Sequence, residues 1–240
     1  MHGVRIRVHA DTDKLETQKV LLSSIRVLRM YAVEQKTIPQ VIVQPTLGKT
    51  AVWTRKSADH KHHYTLRIDP VANVRLKKGK EDRVVLTRSG KKPMQFDLVA
   101  LWDETPLTPL AKDELLNDRA APNQKAQNVL AFLSYKEKLL AGSWRFLTYF
   151  GRDTMLTLEL LFPVLQPAAV EAGLGSVLKR ISATGQVAHE EDVGEWVFVR
   201  PGGKKGPCFD YDNLDDDLML APLAARYLLD HPQGRTRAQN

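Results

Sequence analysis

Cysteine is nearly absent: the 240-residue chain has one, Cys208, so no internal disulfide can form and no Cys-rich zinc site is available. That suits a reducing compartment and a cytoplasmic location. No stretch approaches the 18 or so consecutive apolar residues of a membrane span, and the opening Met1-His2-Gly3-Val4-Arg5 lacks the basic and apolar regions of a secretory signal. Membrane insertion is excluded on that reading. Aromatics are sparse at 7%, so the places where they cluster stand out.

What is present is an ordinary globular composition, 43% hydrophobic and 26% charged, with room for one or two domains. The net charge of +7 is unevenly placed. Residues 1–100 carry 20 Lys and Arg against 9 Asp and Glu, and residues 101–240 carry 15 against 19. A basic half invites a nucleic-acid reading through counterion release. The cations, however, alternate with apolar residues and are not interleaved with stacking aromatics, so solvated strand faces and turns explain them better.

Val4, Ile6 and Val8 alternate with Arg5, Arg7 and His9, the period of a half-buried strand. Asp13 and Glu16 resemble a capping box, and Leu21, Ile25, Leu28 and Ala32 then recur at helical spacing until Thr37-Ile38-Pro39. Short β-prone runs follow at Gln40–Val43, Thr50–Thr54, Tyr64–Ile68, Arg83–Thr87 and Gln95–Leu101, with turn signals between them. His60-Lys61-His62-His63 reads as a hairpin turn. Residues 105–123, with Pro106, Pro109 and Pro122, read as a linker or wrapping segment with one short helical turn. Helices are expected over Gln124–Leu140, Arg152–Leu165, Ala168–Ile181 and Asn213–Leu229. The expected fold is multidomain α+β: a mainly β domain at 1–104, a linker at 105–123 and a helical domain at 124–240.

Three segments concentrate unusual chemistry. Trp144 to Met155 crowds Trp144, Tyr149 and Phe150 ahead of Gly151 and an Arg152–Asp153 pair at a helix start. Rings beside charged donors and acceptors suit a sugar, whose C–H face stacks while its hydroxyls take bidentate partners. The bland reading of Asp153 is a residue favoured by the helix dipole. His189-Glu190-Glu191-Asp192 puts three acids after a histidine, without the two-histidine spacing of a zinc protease. Asp210 to Leu218 places Asp215, Asp216 and Asp217 at another helix start, where a solvated cap competes with a functional role. The glycine and terminal glutamate of an EF-hand loop are missing there. No metal or cofactor is expected.

Together, Phe132 to Lys138, Tyr149-Phe150-Gly151-Arg152-Asp153-Thr154 and Asp215-Asp216-Asp217-Leu218 resemble the start of the catalytic domain of six-hairpin (α/α)6 glycoside hydrolases of the glycogen-debranching type. The Phe-Gly-Arg-Asp-Thr string is the most specific part. The resemblance implies an α/α toroid behind a sandwich-like β domain and hydrolysis of α-glucosidic bonds in glycogen-like or oligosaccharide substrates. Asp215 would be the general acid, beside Met219 and Leu220 where the family has an aromatic pair. Arg152 and Asp153 would grip the sugar, Trp144, Tyr149 and Phe150 would wall it, and His189 and Glu190 would line the same funnel. Twelve barrel helices need roughly three to four hundred residues, so the chain is expected to be an N-terminal part of a longer enzyme or a truncated product, its barrel completed by a parent chain or oligomer and its base carboxylate beyond residue 240. The alternatives are a non-catalytic carbohydrate-binding fragment and, less favoured, a basic nucleic-acid module.

Overall fold

The structure, a computed structural model, describes residues 1–34, 41–143, 146–192, 194–199 and 208–239. In chain order its elements are β1 (His2–Ala10), β2 (Lys14–Glu16), α1 (Ile25–Glu34), β3 (Thr46–Leu47), β4 (Ala51–Lys56), β5 (His63–Ala72), β6 (Val74–Lys78), β7 (Val84–Arg88), β8 (Met94–Trp102), α2 (Lys112–Leu115), α3 (Gln124–Leu133), α4 (Gly151–Leu161), α5 (Pro167–Leu178), β9 (Glu190–Asp192), α6 (Trp196–Val199), β10 (Cys208–Asp210), α7 (Leu214–Asp230) and α8 (Pro232–Ala238). The chain is thus mixed α+β with antiparallel sheets. It divides into two compact units, Met1–Pro106 with Gly194–Gly203, and Leu107–Val193 with Lys204–Asn240. Among the described residues no helix is long and apolar enough to cross a membrane.

In the first unit a five-stranded sheet runs β1-β8-β5-β4-β3 and a three-stranded sheet runs β2-β7-β6. Alternation decides their faces: Ala51 and Trp53 on β4 and Met94 and Phe96 on β8 point into one apolar cluster with Val84 and Leu86 of β7. The β4–β5 hairpin closes at Ser57–His62, where Ser57 N–H donates to the His62 carbonyl at 2.8 Å and His60 adopts φ 60°. The histidine-rich run is therefore largely turn, with His63 opening β5. On the edge strand β1 the alternation is present but Val4 and Ile6 remain exposed.

The helix expected from Asp13 onward begins only at Ile25, and its forecast stop at Thr37-Ile38-Pro39 lies outside the described residues, as does Gln40. Lys14–Glu16 instead pairs with Thr87, Leu86 and Val85 of β7. The Asp13 carboxylate does not cap a helix; it accepts from the Arg88 guanidinium at 2.9 Å while its carbonyl accepts the Arg88 N–H. Strand pairing supplies partners that a local capping pattern could not foresee. The buried Glu195 is held in this unit by Ser23 Oγ, the Arg55 guanidinium and the Ala58 N–H.

In the second unit α4 packs against α5 and α7, α2 against α5, and α7 against α8. Met155 and Leu158 of α4, Val170 and Val177 of α5 and Leu223 and Tyr227 of α7 meet in one buried cluster. Leu110 and Leu115 join it, so residues 107–123 wrap this unit and contribute to its core. α3 stops at Leu133, short of the forecast Leu140, because Ser134 turns extended and bridges to Leu139 while Tyr135 bridges to Pro109. Pro232 does not simply end α7; it sits at the first turn of α8, where a missing N–H costs nothing.

Trp53 is 1% exposed at the centre of the sheet core. Trp53→Ala is expected to lower unfolding free energy by about 3–5 kcal/mol, whereas Val4→Ala on the open edge changes it by less than about 0.5 kcal/mol. Denaturant titrations of the two variants check the contrast.

Candidate functional site

The start of α7 carries three consecutive carboxylates that go in three directions. Asp215 accepts from the Arg152 guanidinium of α4 at 2.8 Å. Asp216 Oδ2 lies 2.8 Å from His189 Nδ1. Asp217 accepts the Val187 backbone N–H at 2.6 Å. Negative charge is favoured at a helix N-terminus, but here the side chains also tie α7 to α4 and to the loop that follows α5.

That loop is held by a short ladder. His189 N–H donates to the Asp210 carbonyl at 2.7 Å, Gly151 N–H to the His189 carbonyl at 2.8 Å, and Glu191 N–H to the Tyr149 carbonyl at 3.2 Å. β9 pairs with β10, and Phe150 bridges to Glu190 on the other side. The segments at 149–152, 187–191 and 210–217 are thereby brought together at the N-terminal ends of α4 and α7. These were the three segments singled out by their chemistry.

The environments of the carboxylates differ sharply. Asp215 is roughly half exposed, and the Arg152 bond holds its carboxyl below the usual range. Its acidic neighbours do not set the direction, because a cation in contact outweighs them. Asp216 is fully buried, and burial pushes its pKa up against the opposing pull of His189. Among the described residues its Oδ1 has no hydrogen-bond partner, although the Arg152 backbone N–H also favours the ionised form. Asp153 lies in the first turn of α4, partly buried, and adds negative charge beside Arg152.

Not every forecast residue stands where the forecast put it. Tyr149 is fully buried, with the Arg180 guanidinium 4.6 Å over its ring, so its face is already occupied and it cannot wall an open sugar site. Burial pushes its hydroxyl pKa up, and that hydroxyl has no partner among the described residues. Phe150 is also buried and meets His189 edge-on at 5.6 Å. Among the described residues of this segment the exposed ring is Phe146, 5.9 Å from Phe150. Trp144 lies outside the described residues. Glu190 is half-buried in the β9 ladder.

Sequence reading names Asp216 and Glu191 only within their acidic runs, without a separate role, and does not reach Arg180. Glu191 accepts from Lys138 at 2.9 Å and from two nitrogens of Arg180 at 2.9 and 3.2 Å, a cluster that fixes the loop from below. Asp216 carried a signal in the triplet itself, but only burial distinguishes it from its neighbours. Among the described residues no group of three or more His, Cys, Asp or Glu side chains stands close enough to hold a metal ion. In comparisons with known proteins, no family model, no curated protein and no solved structure matches the chain.

Gly151 is where these parts meet. A Cβ placed on it would run into the Ala188 carbonyl and lie 2.7 Å from Asp216 Oδ1 and 3.2 Å from the Tyr149 hydroxyl. The backbone contact cannot be relieved by a rotamer change. Gly151→Ala is expected to destabilise the protein by about 1–3 kcal/mol, the usual cost of overpacking, and to weaken the Asp216–His189 pair. Denaturant unfolding checks the first effect and the His189 ring resonances check the second.

Proposed function

We propose that this cluster is a carbohydrate site of the glycosidase type, acting on α-glucosidic bonds of glycogen-like or oligosaccharide substrates by an inverting two-carboxylate mechanism. The observation that carries the reading is the convergence of Arg152, Asp215, His189 and Glu190 at the N-terminal ends of α4 and α7. A guanidinium and an accessible carboxylate 2.8 Å apart offer a donor fork and an acceptor to neighbouring sugar hydroxyls. Phe146 supplies an exposed ring nearby. In the toroid reading α4 and α7 are inner helices and the β module is the sandwich ahead of them. Leu160 on α4 and Leu214 and Leu218 on α7, each at least 75% exposed, support it as faces that further hairpins would cover.

Asp215 is the carboxylate to which the proton-donor role falls, because it is reachable where Asp216 is not. Paired with Arg152 it is ionised and accepts hydrogen bonds. When a sugar engages the Arg152 guanidinium, the influence that depresses the Asp215 pKa weakens and the carboxyl can take up the proton it gives to the leaving oxygen. Inversion also requires a base carboxylate about 6.5–9.5 Å from the acid. A reducing, cytoplasmic setting suits the single cysteine.

The same ion pair favours a second reading, a site that binds sugar without turnover. The nucleic-acid reading is weaker, since several arginines of the basic region are spent on internal partners: Arg7 on Asp97, Arg67 on Asp69, and Arg88 on Asp11 and Asp13.

Titration with maltooligosaccharides and with duplex DNA at two salt concentrations separates the three. Saturable, salt-insensitive sugar binding is expected; salt-sensitive DNA binding without a sugar response overturns the proposal. Release of glucose from an α-glucosidic substrate, lowered at least ~100-fold in turnover by Asp215→Asn with little change in sugar affinity, selects the glycosidase over the binding fragment.

A further inference from the structure

The Asp216–His189 pair is built more elaborately than a helix cap needs. Asp216 is fully buried, and among the described residues its Oδ1 has no hydrogen-bond partner while its Oδ2 meets an imidazole nitrogen. The unpartnered Oδ1 and the equally buried, unpartnered Tyr149 hydroxyl both face the Cβ position that Gly151 leaves empty. A core chosen for stability alone would supply these atoms with donors or replace them with apolar groups. The His189 ring is held by its bond to Asp216 and by its neighbours. Its backbone is bonded on both sides, N–H to Asp210 and carbonyl from Gly151, and Phe150 closes edge-on against the ring. The side chain is 12% exposed, and its second nitrogen, Nε2, makes no hydrogen bond among the described residues.

An ionised carboxylate only accepts, so a nitrogen 2.8 Å from it must carry the proton. The neutral imidazole has one such proton, and placing it on Nδ1 leaves a lone pair on Nε2. We propose that Asp216 is a positioning residue that locks His189 in the Nδ1–H tautomer and thereby makes Nε2 the acceptor for a ligand hydroxyl at this site. The identity of that ligand as a sugar rests on the carbohydrate reading above; the locked tautomer does not. Asp215 and Arg152 lie beside the pair and supply acceptor and donor to other hydroxyls. The ligand is thus met by groups of different polarity: Arg152 gives protons, His189 receives one, and Asp215 accepts for as long as it is ionised. Two other arrangements put a proton on Nε2 and turn His189 into a donor: a neutral Asp216 donating to a bare Nδ1, and an imidazolium protonated at both nitrogens beside the ionised carboxylate.

Long-range proton–nitrogen spectra of the full chain labelled with 15N-histidine, recorded near neutral pH, decide between them. The wild-type protein is expected to show His189 protonated at Nδ1. Asp216→Ala is expected to give a mixture of tautomers, and Asp216→Asn serves if the alanine variant does not fold. Added maltotriose should shift Nε2 in the wild type, and His189→Ala should weaken maltotriose binding by about 3- to 10-fold, the range for one lost hydrogen bond. A wild-type His189 protonated at Nε2, or a tautomer unmoved by both Asp216 variants, overturns the proposal. Undiminished maltotriose binding by His189→Ala overturns the acceptor role. If the wild type binds no sugar, the carbohydrate reading fails and the ligand half falls with it, while the spectrum still decides the tautomer.

Discussion

A carboxylate out of water at the first turn of α7 is the constraint on which the candidate site depends. Asp216 is fully buried, and a charge in that position is tolerable only if fixed dipoles and hydrogen bonds surround it. The α7 N-terminus, the His189 ring and the Arg152 N–H provide them. Each of these comes from a different stretch of chain. The partners of this one side chain therefore lie at the start of α4 and on the 187–191 loop. Gly151 follows from the same demand, since any side chain there would meet Asp216 or the Ala188 carbonyl.

Much of this was legible in the sequence because period and punctuation are local. Alternation marks β1, β-prone runs between turn signals mark β4, β5, β7 and β8, and capping and breaker residues bracket α4, α5 and α7 to within a few residues. The failures share a cause. β2 was read as the start of a helix because Asp13 and Glu16 have capping spacing, whereas β7, some seventy residues later, provides its ladder. α3 was drawn too long because the Ser134–Leu139 bridge is a tertiary event. Non-local pairing overrides local pattern, and one sequence does not display the pairing.

Within the site, the three segments were recognisable from the crowding of acids, rings and glycine, but the assignment of tasks within them was not. Asp215, Asp216 and Asp217 are indistinguishable as letters. Only the fold separates an exposed partner for Arg152, a buried partner for His189 and a backbone acceptor for Val187. Likewise Tyr149 reads as a stacking surface until Arg180 is found over its face. Exposure and partners separate the two pairs here: the Arg152–Asp215 ion pair is accessible, while the Asp216–His189 pair is buried.

The central claim is that Asp216 holds the pieces of the site together, and amide hydrogen exchange tests it most directly. In Asp216→Ala, Tyr149–Gly151 and Val187–Glu191 should lose protection together relative to the wild type, because the ladder joining them rests on the buried carboxylate. The β4–β5 amides of the other unit should be unchanged. Protection that stays at the wild-type level in both segments, or a loss confined to the first turn of α7, would contradict the account.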